Sequence, residues 1–170
     1  MQNTNKPNAL QRAFHRILML RPVTAILIKV LHHADKLLLE LNGGRFTFVS
    51  ALAGLPTFKI TTIGAKSNLP RTLPLVGLVD GEKIALIASN FGQARHPAWY
   101  HNLKANPECQ VQVNGIDRTF IARETEGQER EHYWNIAVSY YAGYAAYKTR
   151  AGSRRIPVMA LELKKVLPDF

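Results

Sequence analysis

The densest grouping of side chains able to do chemistry lies in Gly64-Ala65-Lys66-Ser67-Asn68-Leu69-Pro70-Arg71, which places a glycine, two cations and a hydroxyl in one loop. Phosphate binding needs backbone N–H groups with little steric cover and cations nearby, and Lys66, Ser67 and Arg71 on a turn supply these. The loop is not a Walker A motif, which requires GxxxxGK followed by Ser or Thr and a helix. A solvated hairpin loop is the competing reading.

Ala88-Ser89-Asn90-Phe91-Gly92-Gln93 follows an apolar run, and Ser and Asn at a strand end present hydroxyl, amide and backbone donors. Arg95-His96-Pro97-Ala98-Trp99-Tyr100-His101-Asn102-Leu103 packs five polar or aromatic functions into one short element. Trp99 and Leu103, four apart, can instead plug a core, and both jobs fit different faces of a helix. Tyr140, Tyr144 and Tyr147 recur at i, i+4, i+7, with Tyr141 three before Tyr144, so the phenols would line one side of a helix. Core packing and a pocket wall both remain open for them. His32-His33-Ala34-Asp35 does not fall on one helix face, which favours surface or membrane-facing histidines. No Ser/His/Asp order, catalytic carboxylate pair or dinucleotide glycine fingerprint stands out.

The elements that must hold these groups begin with two helical stretches, one from Ala9 and one from about Thr24 to Leu41, separated by Pro22 and stopped by Asn42-Gly43-Gly44. The periodicity then changes to that of strands. Runs at Arg45–Val49, Thr57–Thr62, Leu73–Val79, Ile84–Ile87, Cys109–Val113, Asp117–Ala122 and Ile156–Leu163 alternate or are continuously apolar. Asp80-Gly81 and Asn114-Gly115 predict hairpins, the type I′ turn requiring positive φ at both central residues. His96–Leu103 predicts a short helix opened by Pro97. Thr125 with Gln128 fits a capping box that opens a late helix running to about Tyr147. Short antiparallel strands with helices at the front and late in the chain imply a small barrel, mainly β with α. The division expected is an N-terminal helical segment over 1–41 and a barrel domain over 42–170.

With 46% hydrophobic residues in 170, the chain can bury one continuous core. Its single cysteine, Cys109, excludes an intrachain disulfide, and no paired Cys/His spacing suggests a metal site. That count fits a reducing cytoplasm. The net charge of +10 attracts polyanions, and half of it sits on Lys6, Arg12, Arg16, Arg21 and Lys29, before the first acidic residue. The apolar runs there are interrupted by Arg21, Pro22 and Lys29, too short to span a bilayer, and no clean cleavage site follows them. A basic amphipathic segment over residues 9–41 instead suits an anionic membrane surface, with packing on the barrel or on a second subunit as the alternative.

Taken together, Thr61-Thr62-Ile63-Gly64-Ala65-Lys66-Ser67, Pro70-Arg71, Leu73-Pro74-Leu75, Ala88-Ser89, Pro97 to Pro107 and Arg155-Ile156-Pro157-Val158 resemble the deazaflavin-dependent nitroreductase and quinone reductase family. The blocks TTxGxKSxxPRxxPL and PxWxxNLKANP carry the resemblance, which spans roughly residues 40–163. It implies a split β-barrel of the FMN-binding and pyridoxamine-oxidase-like architecture, with reduced coenzyme F420 rather than FMN as hydride donor and a quinone or nitroaromatic-like acceptor. By position, Gly64, Lys66, Ser67, Pro70, Arg71, Ala88, Ser89, Asn90, Trp99 and Asn102 would bind the cofactor. Trp99, Tyr141, Tyr144 and Tyr147 would line the substrate side, and Ser89, Tyr141 and Tyr144 would be the catalytic residues. The chain departs from the family pattern at Ala65 and Asn90, where relatives often carry basic residues, and Arg95 is the cation available to compensate. The cysteine count and the basic N-terminal segment lead to the expectation of a cytoplasmic enzyme, peripheral on the inner face of the plasma membrane if that segment binds there, with a homodimer as a further expectation. Two classes compete with it: a non-catalytic F420 or lipid carrier, and a basic nucleic-acid-binding module, whose affinity would fall steeply with salt.

Overall fold

Continuously apolar strands are buried on both faces, and Lys83–Ile87 and Val158–Leu163 show why this chain needs two such strands. Ile84, Leu86, Met159 and Leu161 point into one core, while Ala85, Ile87, Val158 and Ala160 point into another. The computed structural model describes residues 56–165. The first core is the interior of a closed antiparallel barrel and the second is the layer between the barrel wall and two helices.

The strands are β1 (Thr57–Ile63), β2 (Pro70–Asp80), β3 (Lys83–Ile87), β4 (Glu108–Val113), β5 (Ile116–Glu124) and β6 (Val158–Leu163). The helices are α1 (Ala98–Ala105), α2 (Gly127–Tyr140) and α3 (Gly143–Arg150). The barrel order is β1-β2-β3-β6-β5-β4, closed by a short β4 to β1 seam at Ile60↔Val111 and Thr61↔Gln110. Fully buried Ile60, Leu86, Leu103, Val111, Phe120, Met159 and Leu161 fill the interior, with Trp99 and Leu103 of α1 packed among them. Each such side chain contributes roughly 1.5–3 kcal/mol of transfer free energy. Cys109 faces inward as its alternation predicts, and burial pushes its thiol up to about 12.

The hairpin at Asn114-Gly115 has positive φ at both central residues, 53° and 81°, the type I′ requirement. The other hairpin differs from expectation. Asp80 pairs with Lys83, so the central residues are Gly81 and Glu82, and of the two only Gly81 has positive φ, at 58°. That is the type II′ requirement. Strand β2 also begins at Pro70, three residues before Leu73, because it pairs with β1 along its full length.

The late helix is two helices. Tyr141 takes an extended conformation, φ −140° and ψ 100°, and separates α2 from α3. The capping box is not formed: Glu126 is the N-cap of α2 with no side-chain bond, and the buried Thr125 hydroxyl donates to the Val158 carbonyl at 3.1 Å. A strand carbonyl won the hydroxyl that local spacing assigned to the helix. Arg123 instead ties α2 to the barrel, bonded to both oxygens of Glu129 at 2.6 and 2.7 Å and to Glu162 at 2.9 Å. Lys83 joins Glu162 at 3.0 Å. The expected N-terminal helices and the 45–49 strand lie outside the described residues.

Candidate functional site

The loop between β1 and β2 is shaped by its own backbone before any ligand is considered. Gly64 N–H donates to the Leu69 carbonyl at 2.9 Å, and Asn68 N–H donates to the Gly64 carbonyl at 2.8 Å. Asn68 takes φ of 53° to close the turn. A Cβ on Gly64 would lie 2.5 Å from Ser67 Oγ, so a larger residue there would turn the Ser67 hydroxyl away from its present position. Asn102 of α1, buried, holds the loop from beneath: its Oδ1 accepts from Ala65 N–H at 3.0 Å and its Nδ2 donates to Thr62 Oγ1 at 3.0 Å.

Those bonds leave the backbone N–H groups of Lys66 and Ser67 without an acceptor among the described residues. Lys66 has no ion-pair partner there either, and Arg71 Nη2 reaches Ser67 Oγ at 3.5 Å. Lys66, Ser67, Pro70 and Arg71 are all exposed. Two open N–H groups beside two exposed cations give the loop the composition that an anion cradle for a phosphate requires. Asn102 differs in kind, since both ends of its amide are used inside the protein and its part is to hold the loop.

The second group of residues follows β3. Ser89 is 8% exposed, and its hydroxyl donates to no acceptor among the described residues. The chain then makes a left-handed turn, with φ of 46°, 55° and 77° at Asn90, Phe91 and Gly92. Two of these are L-residues in a region that costs roughly 1–2 kcal/mol each. The Asn90 amide caps the turn by donating to the Arg95 carbonyl at 2.9 Å. Ala88 is fully buried in the barrel interior.

This turn packs on α3. The Phe91 and Tyr147 rings meet edge to face at 5.8 Å, and a Cβ on Gly92 would lie 2.7 Å from the Tyr147 carbonyl. Tyr141, Tyr144 and Tyr147 form a mutual edge-to-face cluster with centroids 5.5 to 6.2 Å apart, and the Tyr141 and Tyr147 hydroxyls are 3.0 Å apart. The stripe predicted through Tyr140 is not what assembles them. The break at Tyr141 swings its ring over Gly143, where there is no room for a Cβ. Burial raises the pKa of all three phenols, so they are neutral donors at any physiological pH.

Of the residues singled out in the sequence, Gly64, Lys66, Ser67, Pro70, Arg71 and Asn102 come together at the cradle, and Ala88, Ser89 and Asn90 at the turn. Tyr147 meets that turn through Phe91, and Tyr141 and Tyr144 pack on Tyr147. Trp99, 7% exposed, is the interior plug. Helix α1 links the two groups, carrying Asn102 on the cradle side and preceded by His96 on the other. Sequence reasoning missed Thr62, Gly92, Gly143 and Arg154. Arg154 donates to the carbonyls of Ala88, Ser89 and Gln93, partners 61 to 66 residues away, which no local pattern signals. An open groove at the start of α2, lined by Gln128, Arg130, Glu131, His132, Asn135 and Arg155, shares no residue with either group.

A family model described as F420H(2)-dependent quinone reductase matches residues 31–163. The chain is 36% identical over 109 residues to an F420H(2)-dependent quinone reductase of Mycobacterium tuberculosis (strain ATCC 25618 / H37Rv), covering 62% of this chain and 72% of that protein. Among solved structures, an F420-H2 dependent reductase (FDR-A) is 44% identical with a TM-score of 0.57, covering 63% of this chain and 94% of the other. Another, described as a domain-swapped dimer, is 38% identical with a TM-score of 0.59, covering 75% and 95%.

Proposed function

The chain belongs to the F420H(2)-dependent quinone reductase family, and on that premise we propose that it is an oxidoreductase reducing a quinone-type acceptor at the Ser89 turn. Reduced coenzyme F420 supplies the hydride when bound. The observation that carries the reading is the cradle: the Lys66 and Ser67 N–H groups, open among the described residues, and the exposed Lys66 and Arg71 cations, which have no ion-pair partner among those residues, fit a phosphate-bearing cofactor. Lys66, Ser67 and Arg71 hold the phosphate or acidic tail, and Asn102 keeps the loop in place for them. Because Ala65 and Asn90 supply no charge, Arg95, whose carbonyl accepts from the Asn90 amide at the Ser89 turn, is the cation available to compensate.

The protein's own work is positioning and exclusion of water. Ser89 Oγ and the Tyr141 phenol are the two groups able to hold a proton for the reduced acceptor, with water as a third source. Tyr141, Tyr144 and Tyr147, nearly fully buried against one another, would back the acceptor site as a rigid apolar wall with neutral hydroxyls rather than present open ring faces to it. A nitroaromatic of similar shape is a secondary acceptor. Residues 9–41 bring the enzyme from the cytoplasm to the inner face of the plasma membrane, where lipid-soluble quinone is available. Among the described residues no helix is long and apolar enough to cross a membrane. The domain-swapped relative supports a homodimer.

The test is a fluorescence titration of the full chain with F420 and with FMN, followed by turnover of F420H2 with a soluble quinone. Micromolar or tighter F420 binding with poor FMN binding is expected. The reverse preference overturns the reading, and F420 binding without turnover on any quinone makes the protein a carrier.

A further inference from the structure

The Ser89 turn is held in an unfavourable hand, and its own two backbone bonds, Gly92 N–H to Ser89 O and Gln93 N–H to Asn90 O, both at 2.9 Å, close it without fixing where it sits. Three of its carbonyls converge on one side chain from the loop between α3 and β6. Arg154 Nη2 donates to Ser89 O at 2.6 Å, Nε to Gln93 O at 2.8 Å and Nη1 to Ala88 O at 3.3 Å. Nη1 also lies 3.0 Å from His96 Nδ1, which must accept, because a guanidinium has no lone pair to offer. All three guanidinium nitrogens are therefore used, on the segments before α1 and after β3. No carboxylate among the described residues pairs with Arg154.

From this convergence we infer that Arg154 is the positioning residue of the reduction, fixing Ser89 and the turn that meets Tyr147. The inference rests on the function proposed above for Ser89. It extends to geometry rather than charge: a planar fork of donors spans three carbonyls and an imidazole, whereas an ammonium on a flexible stem cannot satisfy them together. Arg154 touches neither the cradle nor its anchor Asn102 and meets Ala88 and Ser89 only at their carbonyls, so its change should lower turnover by far more than it weakens cofactor binding.

The experiment compares wild type, Arg154→Ala and Arg154→Lys in the full chain. Expected in both variants is a fall in kcat of about tenfold to a hundredfold, the scale of a misplaced reacting group, with the F420 Kd within about threefold of wild type. Amide hydrogen exchange at Gly92 and Gln93 should accelerate by about tenfold or more while Ile84 and Leu161 in the barrel stay protected. Methylguanidinium in solution should restore part of kcat to Arg154→Ala and none to wild type. If Arg154→Ala does not fold, Arg154→Lys, which keeps the stem and the charge, carries the comparison. Wild-type kcat in Arg154→Lys overturns the inference by reducing the role to charge. Unchanged exchange at Gly92 and Gln93 overturns it in either variant, and that measurement decides the matter even if wild type fails to turn over F420H2, an outcome that sinks the proposed function instead.

Discussion

Replacing Asn102 with Ala tests whether the cradle is a preformed site or only a turn. The substitution removes two bonds of 3.0 Å, to Ala65 N–H and to Thr62 Oγ1. The Ala65 N–H is exposed and recovers water, so its loss costs about 0.5–1 kcal/mol. Thr62 is fully buried, and without Asn102 its hydroxyl keeps only a 3.5 Å contact to the Arg71 carbonyl. Leaving that oxygen without its donor costs about 1–3 kcal/mol. The sum is roughly 1.5–4 kcal/mol, measured as a shift in the urea midpoint with the slope unchanged. Asn102→Asp separates structure from binding: a carboxylate accepts from both Ala65 N–H and the reoriented Thr62 hydroxyl, so stability falls by only about 1 kcal/mol. Its negative charge nevertheless lies beside the phosphate site, so F420 should bind more weakly to Asn102→Asp than to Asn102→Ala. A double-mutant cycle with Thr62→Val should give a coupling of about 1 kcal/mol. Should Asn102→Ala unfold within about 0.5 kcal/mol of wild type, or Asn102→Asp bind F420 as wild type does, the reasoning that α1 anchors the loop fails.

Lys66→Ala and Arg71→Ala should each weaken F420 binding by about 1–3 kcal/mol in fluorescence titration without lowering Tm, and two variants with wild-type affinity would reduce the loop to a hairpin turn. Gly143→Ala should destabilise by about 1–3 kcal/mol in thermal melts and raise the quinone KM, because the new methyl displaces the Tyr141 ring; an unchanged KM would remove the tyrosine cluster from the acceptor site. Burial, then the charge of Arg154 and then His101, lowers the pKa of His96 below 6.5, while Glu124 opposes them; Tyr100 stacks on the same imidazole. The unfolded state therefore binds the proton first, and stability present above pH 6.5 is lost as pH falls from there toward the lowered folded value. His96→Gln, which can still accept from Arg154, should flatten that part of the Tm profile, and identical profiles would exclude His96 as its source. For residues 9–41, outside the described structure, co-sedimentation with anionic liposomes should be lost in a chain starting near Leu41 and weakened by salt, each basic side chain contributing roughly 1 kcal/mol; equal binding by the shortened chain would place the membrane contact on the barrel.

Much of the site was legible because its residues are local. Gly64, Lys66, Ser67 and Arg71 belong to one loop, whose glycine and cations allow an anion cradle by composition while a solvated hairpin loop fits the same residues. Asn114-Gly115 likewise carried its turn type, since both φ values are dictated by the two residues themselves. The helix over α1 followed from Pro97 and the spacing of Trp99 and Leu103. Where the reading failed, a distant group had outbid a neighbour. Thr125 gave its hydroxyl to Val158, 33 residues away, in place of the helix start at Gln128 three positions on. The phenol stripe broke because Tyr141 left the helix and stacked on Tyr144 and Tyr147.

What the amino-acid order determined by itself was the alternation that makes six strands, the hairpins and the chemistry of the β1–β2 loop, all set by interactions within a few residues. Only tertiary structure decided that Asn102 spends its amide on Thr62 and Ala65, and that Arg154, ahead of β6, collects carbonyls from the turn that follows the neighbouring β3. The physical reason is that a buried carbonyl or hydroxyl must find a partner wherever the fold places one. That placement depends on which strands close the barrel and where α1 and α3 pack against it, and neither is encoded in the spacing of near neighbours.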